Sequence, residues 1–236
     1  MKKKLIILLL TLSLLLCGCM VYIEPATPIP QGDGLTVHYI DVGQADCILL
    51  ECDGQFLLID GGNREDGQLV VSYLEQQGVE ELTAVVCTHA HEDHVGGLPS
   101  VLAVYPTAAV YAPTKTYASK VFDDFVYYID QQRLEITIPA PGDTLTLGSA
   151  GLTVLGPVKS YAETNDTSIV LKAEYGEISF LFTGDMEIAA ENDMLDYGMD
   201  VRADVLKVGH HGSDTSTGYR FLYEVDPDYG VISVGE

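Results

Sequence analysis

The amino-acid sequence predicts an α+β domain in which two β-sheets pack face to face with helices on their outer sides. Three observations point there. Short apolar runs recur from residue 35 onward, bounded by Gly, Pro or Asp-Gly. A few stretches with helical spacing stand between them. Hydrophobic residues make up 47% of the 236 residues and charged residues 20%, enough apolar side chain for a sizeable core. No composition break follows residue 35, so residues 35–236 read as one body.

The elements follow in order. Residues 35–42, 47–52 and 56–59 read as three strands, with Asp53-Gly54 as the hairpin signal between the last two. Residues 68–77 read as a short helix that stops at Gly78. Residues 84–87 form a buried-strand pattern, followed by a polar loop rich in His. A helix begins over 98–104, after Gly96-Gly97, and residues 108–111 read as a strand. Residues 120–131 are amphipathic and helical. Short β runs then dominate at 134–138, 144–147, 152–155, 168–173 and 178–182. A helix is expected over 187–197 and strands over 205–208 and 231–234.

The amino terminus reads differently. Lys2, Lys3 and Lys4 precede an apolar run over 5–16, and Cys17-Gly18-Cys19 follows. A basic start, an apolar stretch and small residues are the parts of a secretory signal. The run is shorter than the roughly 20 apolar residues that span a bilayer. Leu16-Cys17-Gly18-Cys19 resembles the bacterial lipoprotein box, which implies a signal over 1–18 and lipid on Cys19. An uncleaved anchor is the alternative. Residues 19–34, with Pro25, Pro28 and Pro30, read as a tether. Either way the folded body is expected outside the cytoplasmic membrane.

The formal net charge is −23, and loss of the signal would remove three lysines and no acid. Such a chain is a poor candidate for coating nucleic acid through bulk charge. A local phosphate site is still compatible with it. Cys47, Cys52 and Cys87 lie in apolar runs and read as buried thiols, with a Cys47–Cys52 bridge as the other reading. There is no Walker loop and no GxGxxG, and Ser213 lacks the spacing of a nucleophilic triad.

The segment that carries chemistry is Thr88-His89-Ala90-His91-Glu92-Asp93-His94-Val95-Gly96-Gly97. Three of the six histidines and two acids stand within six residues, directly after a buried strand. Imidazole nitrogen and carboxylate oxygen suit zinc, and also manganese or iron. A second His pair, His210-His211, again follows an apolar strand.

HxHxDH resembles the signature of the metallo-β-lactamase superfamily, and the likeness extends over residues 35–236. The resemblance implies a four-layer αββα sandwich. Phe56-Leu57-Leu58-Ile59-Asp60-Gly61-Gly62 is similar to the family's first motif, with Asp60 accepting hydrogen bonds beside the metal loop. Leu181-Phe182-Thr183-Gly184-Asp185 is similar to the fourth, whose Asp bridges two metals; by itself Asp185 reads equally as a turn residue. The resemblance implies His89, His91 and Asp185 on one divalent metal, and Asp93, His94, His211 and Asp185 on the other. Zinc is the expected ion, with manganese as the alternative. If the backbone at His210-His211 is extended, the two rings point opposite ways, giving one ligand and one substrate-facing group. His211 is taken as the ligand and His210 as the catalytic group, with Asp93 beside it.

The opening Asp41-Val42-Gly43-Gln44-Ala45-Asp46 and the run His210-His211-Gly212-Ser213 resemble the metallo-hydrolase domain of ComEC-like competence proteins. Asn165-Asp166-Thr167-Ser168 stands where β-lactamases carry a third-motif His. Asn165 and Ser168 are expected to shape the first metal site or contact substrate, unless the segment is a plain strand-entry turn. ComEC-like domains continue beyond 231–234 into a Gly/Asn-rich segment and a final helix, whereas this sequence stops at Glu236. A fragment, a truncated product and a shorter variant all fit.

The function implied is an extracytoplasmic phosphodiesterase or nuclease in which paired metals supply hydroxide at neutral pH. The expected partners are a phosphodiester or other small hydrolysable substrate, DNA, and the membrane through the Cys19 lipid. The alternatives are a lactonase or other metallo-hydrolase, and a non-catalytic surface lipoprotein that binds metal or DNA in competence.

Overall fold

The computed structural model describes residues 34–235. The expected signal, nearly all of the tether and the Cys19 lipid site lie outside the described residues. The chain forms two six-stranded sheets. The first runs β1 (Leu35–Tyr39), β2 (Ile48–Cys52), β3 (Gln55–Ile59), β4 (Ala84–Val86), β5 (Val110–Tyr111) and β6 (Ile136–Thr137), in that spatial order. The second runs β7 (Thr144–Leu147), β8 (Ala150–Gly156), β9 (Val170–Tyr175), β10 (Ile178–Phe182), β11 (Val205–Lys207) and β12 (Tyr229–Val231), also in sequence order. In each sheet the early strands pair antiparallel and the later ones parallel.

Alternation along the strands sorts the apolar side chains into layers. Ile48, Leu50, Leu57, Ile59 and Val86 point inward and meet Leu152, Val154, Leu171 and Phe182 of the second sheet. Leu49, Leu58 and Val85 point outward, under α1 (Gly67–Gln76), α3 (Leu98–Val104) and α4 (Lys120–Gln131). On the far side, Val170, Leu181 and Leu206 pack against α5 (Ile188–Tyr197) and α6 (Tyr219–Val225). This is the α+β sandwich of two sheets between helical layers that the sequence predicts.

α4 has the residues and the ends the sequence predicts. Ser119 accepts from the Phe122 amide at 3.3 Å, and Val121, Phe122, Phe125 and Ile129 form its buried stripe. Three expectations need correction. The first strand stops at Tyr39: Ile40 still donates to the Cys47 carbonyl at 2.9 Å, and the turn between them places Val42 and Ala45 in the helix-side core. The last strand is β12 rather than 231–234: its parallel register with β11 ends at Lys207 opposite Val231, and beyond it Ile232 and Val234 are exposed. α6 was not expected; it is only seven residues long, with Phe221 and Val225 as its buried pair. The described cysteines Cys47, Cys52 and Cys87 are free and buried, in keeping with the thiol reading.

A buried ion pair is among the interactions that join the two halves near the open end of the sandwich. Lys207, on β11, is fully buried and its Nζ lies 2.8 Å from Oδ2 of Asp46, itself buried in the loop before β2. Nζ also donates to the Val208 carbonyl at 2.9 Å. Removing one member of a buried pair strands the other charge, at a cost of about 3–5 kcal/mol. Lys207→Met is therefore expected to lower the urea midpoint strongly, and adding Asp46→Asn to recover much of the loss. Urea denaturation of the two single variants and the double variant checks this. Additive losses would show that the pair is not a unit.

Candidate metal centre

Four strand ends build the site. β3 runs parallel to β4 in the first sheet and β10 parallel to β11 in the second, so within each pair the carboxyl ends lie together. The loops leaving those ends carry Asp60, the His89–His94 segment, Asp185 and the His210-His211 pair.

The loop after β4 is pinned from below. Asp60, fully buried with a left-handed backbone (φ 58°), accepts from the Thr88 amide at 2.7 Å and from the Thr88 hydroxyl at 2.6 Å. Its Oδ2 lies 2.8 Å from Nδ1 of His94. That carboxylate can only accept, so Nδ1 of His94 donates and Nε2 is directed at the centre. Gly61 donates to the His94 carbonyl at 2.7 Å, and Gly97 donates to Gly62 at 3.2 Å. A Cβ on Gly97 would collide with the Gly61 carbonyl, so this double contact between the two Gly-Gly pairs admits no side chain there. His91 caps α2 (Glu92–Val95), which turns Asp93 and His94 toward the second sheet.

Asp185 arrives from the other side. Gly184 before it has φ 52° and lies close to Ser168 and Thr88. Ser168 Oγ accepts from the Asp185 amide at 3.1 Å and donates to the Asn165 carbonyl at 2.7 Å. Ser168 is buried, and its hydroxyl ties the Asp185 backbone to Asn165, in keeping with the shaping role. Asn165 stays at the rim: its Nδ2 donates to Glu187 Oε1 at 3.2 Å and lies 3.5 Å from His210 Nε2.

The His210-His211 pair corrects an expectation. Its backbone is not extended but left-handed at both residues, φ 48° and 52°. Both rings consequently approach Asp185: Nε2 of His210 is 3.9 Å and Nε2 of His211 3.6 Å from Oδ2. Their second nitrogens separate them. His211 Nδ1 donates to the Ser233 carbonyl at 3.0 Å, which leaves Nε2 for the centre, 3.2 Å from Asp93 Oδ2. His210 is partly exposed, with Nδ1 3.0 Å from the Thr215 hydroxyl and 3.4 Å from Glu187.

One donor atom each from Asp93, His94, Asp185 and His211 lie within 4.8 Å of one another. His94 Nε2 is 3.2 Å from Asp185 Oδ2. His89 Nε2 stands 3.9 Å from Asp185 Oδ2, and His91 adjoins it, with Nδ1 3.1 Å from His89 Nε2. The structure thus groups five of the six sequence-predicted ligands, and His91 adjoins them through His89. The tight group is Asp93, His94, Asp185 and His211, with His89 and His91 alongside.

Burial and charge compete here. Burial pushes the His89 imidazole well below the ordinary histidine value. It acts the same way on His94, but Asp60 and Asp185 on either side outweigh it and hold that imidazole well above the ordinary value. For His211, burial is outweighed by the Asp93 hydrogen bond and by Asp185. Burial of Asp185 is outweighed by His94, His89 and His211, which hold its carboxyl far below the usual carboxylate range. His94 Nε2 and Asp185 Oδ1 are buried without a hydrogen-bond partner. Orphaned atoms of this kind are costly unless something binds them. A set of imidazole and carboxylate donors with such orphans fits divalent zinc or manganese.

Sequence reasoning missed Thr88, Lys207, the partner role of Asp46, and Glu187, which receives both Asn165 and Thr215. A Lys inside the apolar run 205–208 was the available signal for one of them.

The chain matches the Metallo-beta-lactamase superfamily over residues 40–236. It is 30% identical over 220 residues to ComE operon protein 3 of Bacillus subtilis, covering 85% of this chain and 28% of that protein. It is 29% identical over 225 residues to competence protein ComA of Neisseria gonorrhoeae, covering 94% of this chain and 30% of the other. The chain therefore spans under a third of these relatives. Among solved structures, the metallo-beta-lactamase fold protein YhfI of Bacillus subtilis superposes with a TM-score of 0.54 at 17% identity, covering 86% of this chain and 89% of that one. The chain belongs to the metallo-beta-lactamase superfamily, with competence proteins among its relatives.

Proposed function

We propose that this protein is an extracytoplasmic, metal-dependent phosphodiesterase. The observation that carries the reading is the buried donor set with two unpartnered atoms, His94 Nε2 and Asp185 Oδ1, facing a common centre. His89, His91 and Asp185 would hold one divalent ion, and Asp93, His94, His211 and Asp185 the other. When bound, such ions polarise a phosphoryl oxygen and make water nucleophilic near neutral pH.

The chain's own residues supply the rest. Asp60 and the Ser233 carbonyl fix which nitrogen His94 and His211 present. His210 is placed to give a proton to the leaving oxygen from Nε2, with Thr215 and Glu187 orienting its other nitrogen. Asn165 braces Glu187 and borders the same edge. The choice of a phosphodiester over a β-lactam carbonyl draws on Asn165-Asp166-Thr167-Ser168 standing at the place where β-lactamases carry a His. The lipid on Cys19 would hold the body at the membrane surface. Among the described residues no helix is long and apolar enough to cross a membrane.

The purified protein is expected to bind up to two equivalents of zinc or manganese and to cleave bis(p-nitrophenyl) phosphate, with EDTA abolishing turnover. The double variant His91→Ala, Asp185→Ala should lose metal by mass spectrometry and activity by about a hundredfold or more. Asp60→Asn should weaken metal affinity by about 10–100-fold while leaving the fold intact. Equal cleavage by the double variant would refute the metal mechanism, and turnover of nitrocefin or a lactone in place of the phosphodiester would move the activity to carbonyl substrates.

For location, Cys19→Ala is expected to move the protein from the membrane fraction to the soluble or secreted fraction. Cell fractionation with intact-mass analysis reads this out. An unchanged membrane fraction would favour the uncleaved-anchor reading.

A further inference from the structure

A groove of about 600 Å³ opens beside the metal centre. Ala90, between His89 and His91, forms part of its floor, and Thr164, next to Asn165, part of its wall. Tyr117, on the groove wall, packs edge-on against the His91 ring at 6.4 Å between centroids. The volume is that of a pocket for one small organic molecule.

Its charge is the informative feature. The chain has 35 acidic residues, yet no carboxylate lines this groove; its wall is Pro, Ala, Ile, Tyr and hydroxyl side chains. The one charged residue lining it is Lys159. That ammonium is already occupied, 2.6 Å from Asp193 and 5.3 Å from the Tyr161 ring centroid. A nucleic-acid strand brings a phosphate about every 3.4 Å and needs a row of cations to meet them. This groove offers no such row, and the chain's net charge of −23 repels a polyanion further. Carboxylates are absent where the substituent of an anionic substrate would lie, and aromatic and hydroxyl groups are present to receive a ring.

We propose that the groove selects small phosphodiesters carrying one neutral ring, an aryl group or a nucleoside, and disfavours polynucleotide strands. The substrate's charge sits at the metal end, and the ring lies along Tyr117 and Tyr161. This rests on the reading that the centre hydrolyses phosphodiesters, and the experiment separates the two.

Hydrolysis by the manganese-loaded protein is measured at physiological ionic strength on three probes: bis(p-nitrophenyl) phosphate, p-nitrophenyl thymidine 5′-phosphate and a labelled single-stranded oligonucleotide. Both small diesters are expected to be cleaved, with kcat/KM for the strand lower by about a hundredfold or more. Tyr117→Ala should raise KM for the small diesters by about tenfold through loss of the stacking surface, with little change in kcat. Ile138 lines the groove and is 52% exposed, so Ile138→Lys tests charge without disturbing the core. It should raise strand cleavage by about threefold or more. Strand cleavage as efficient as that of the small diesters would overturn the proposal, as would unchanged kinetics in both variants. If no phosphodiester is cleaved, the hydrolase reading fails, and the groove is judged by equilibrium dialysis of p-nitrophenyl thymidine 5′-phosphate. Saturable binding that Tyr117→Ala weakens would support the groove, and no saturable binding would overturn it.

Discussion

The structure is organised around a buried carboxylate that its protein neighbours leave half satisfied. Asp185 is buried among imidazoles, with Oδ2 3.2 Å from His94 Nε2 and Oδ1 without any partner. An isolated carboxylate in such a place is strongly disfavoured. Its imidazole neighbours, His94 foremost, favour its ionised form, and His94 is itself held by the second buried carboxylate, Asp60. Much of the surrounding architecture keeps these groups in place. Parallel strand pairs present the loops, a double Gly-Gly contact lets the His loop lie against the Asp60 loop, and Ser168 fixes the Asp185 backbone.

The site is split between the two sheets. Asp60 and the His89–His94 loop belong to the first, and Asp185 and the His210-His211 pair to the second. Neither half holds a complete donor set, so relative sliding of the sheets would disperse it. The inner apolar layer sets the spacing, but apolar contacts are not directional. Directional ties at this end are the buried Lys207–Asp46 pair and the Ile169 amide, which donates to the Thr88 carbonyl at 2.9 Å. Asp46 Oδ1 also lies 3.7 Å from His211 Nδ1, so the ion pair sits directly behind a predicted ligand. Specific alignment is the role in which a buried ion pair is best justified, since its net contribution to stability is small.

What could be read from the sequence was local. The helix over 120–131 shows its apolar stripe and its Ser cap within twelve residues, and the strands over 144–147 and 178–182 are bounded by turn residues. HxHxDH was legible for the same reason, with its donors on one loop. Asp185 needed the family pattern, because a single Asp after a strand has no local signature. The features that could not be read join distant segments or depend on backbone conformation. Lys207 meets Asp46 across the sandwich, and Thr88 serves Asp60 from 28 residues away. The left-handed turn at His210 and His211 defeats a rule that assumes extended chain. α6 has one buried i, i+4 pair, too little for periodicity to stand out.

The acidic composition acquires a different meaning once the buried acids are separated from the rest. Asp46, Asp60, Asp166, Asp185 and Glu191 are all buried, and each has its own compensation. Asp46 has Lys207, and Asp60 has His94 and Thr88. Asp166 accepts the Glu187 amide, and Glu191 accepts the amides of Thr217 and Gly218 where α6 begins. Burial pushes the carboxyls of Asp166 and Glu191 upward. Asp185 is the opposite case: its carboxyl is held far down, fully charged, with one oxygen still unmatched. A buried carboxylate oxygen without a partner, set among imidazole donors, is an arrangement that suits a divalent cation. Asp46 also keeps one oxygen without a partner, but Lys207 neutralises it; Asp185 differs in standing within a group of four metal-type donors.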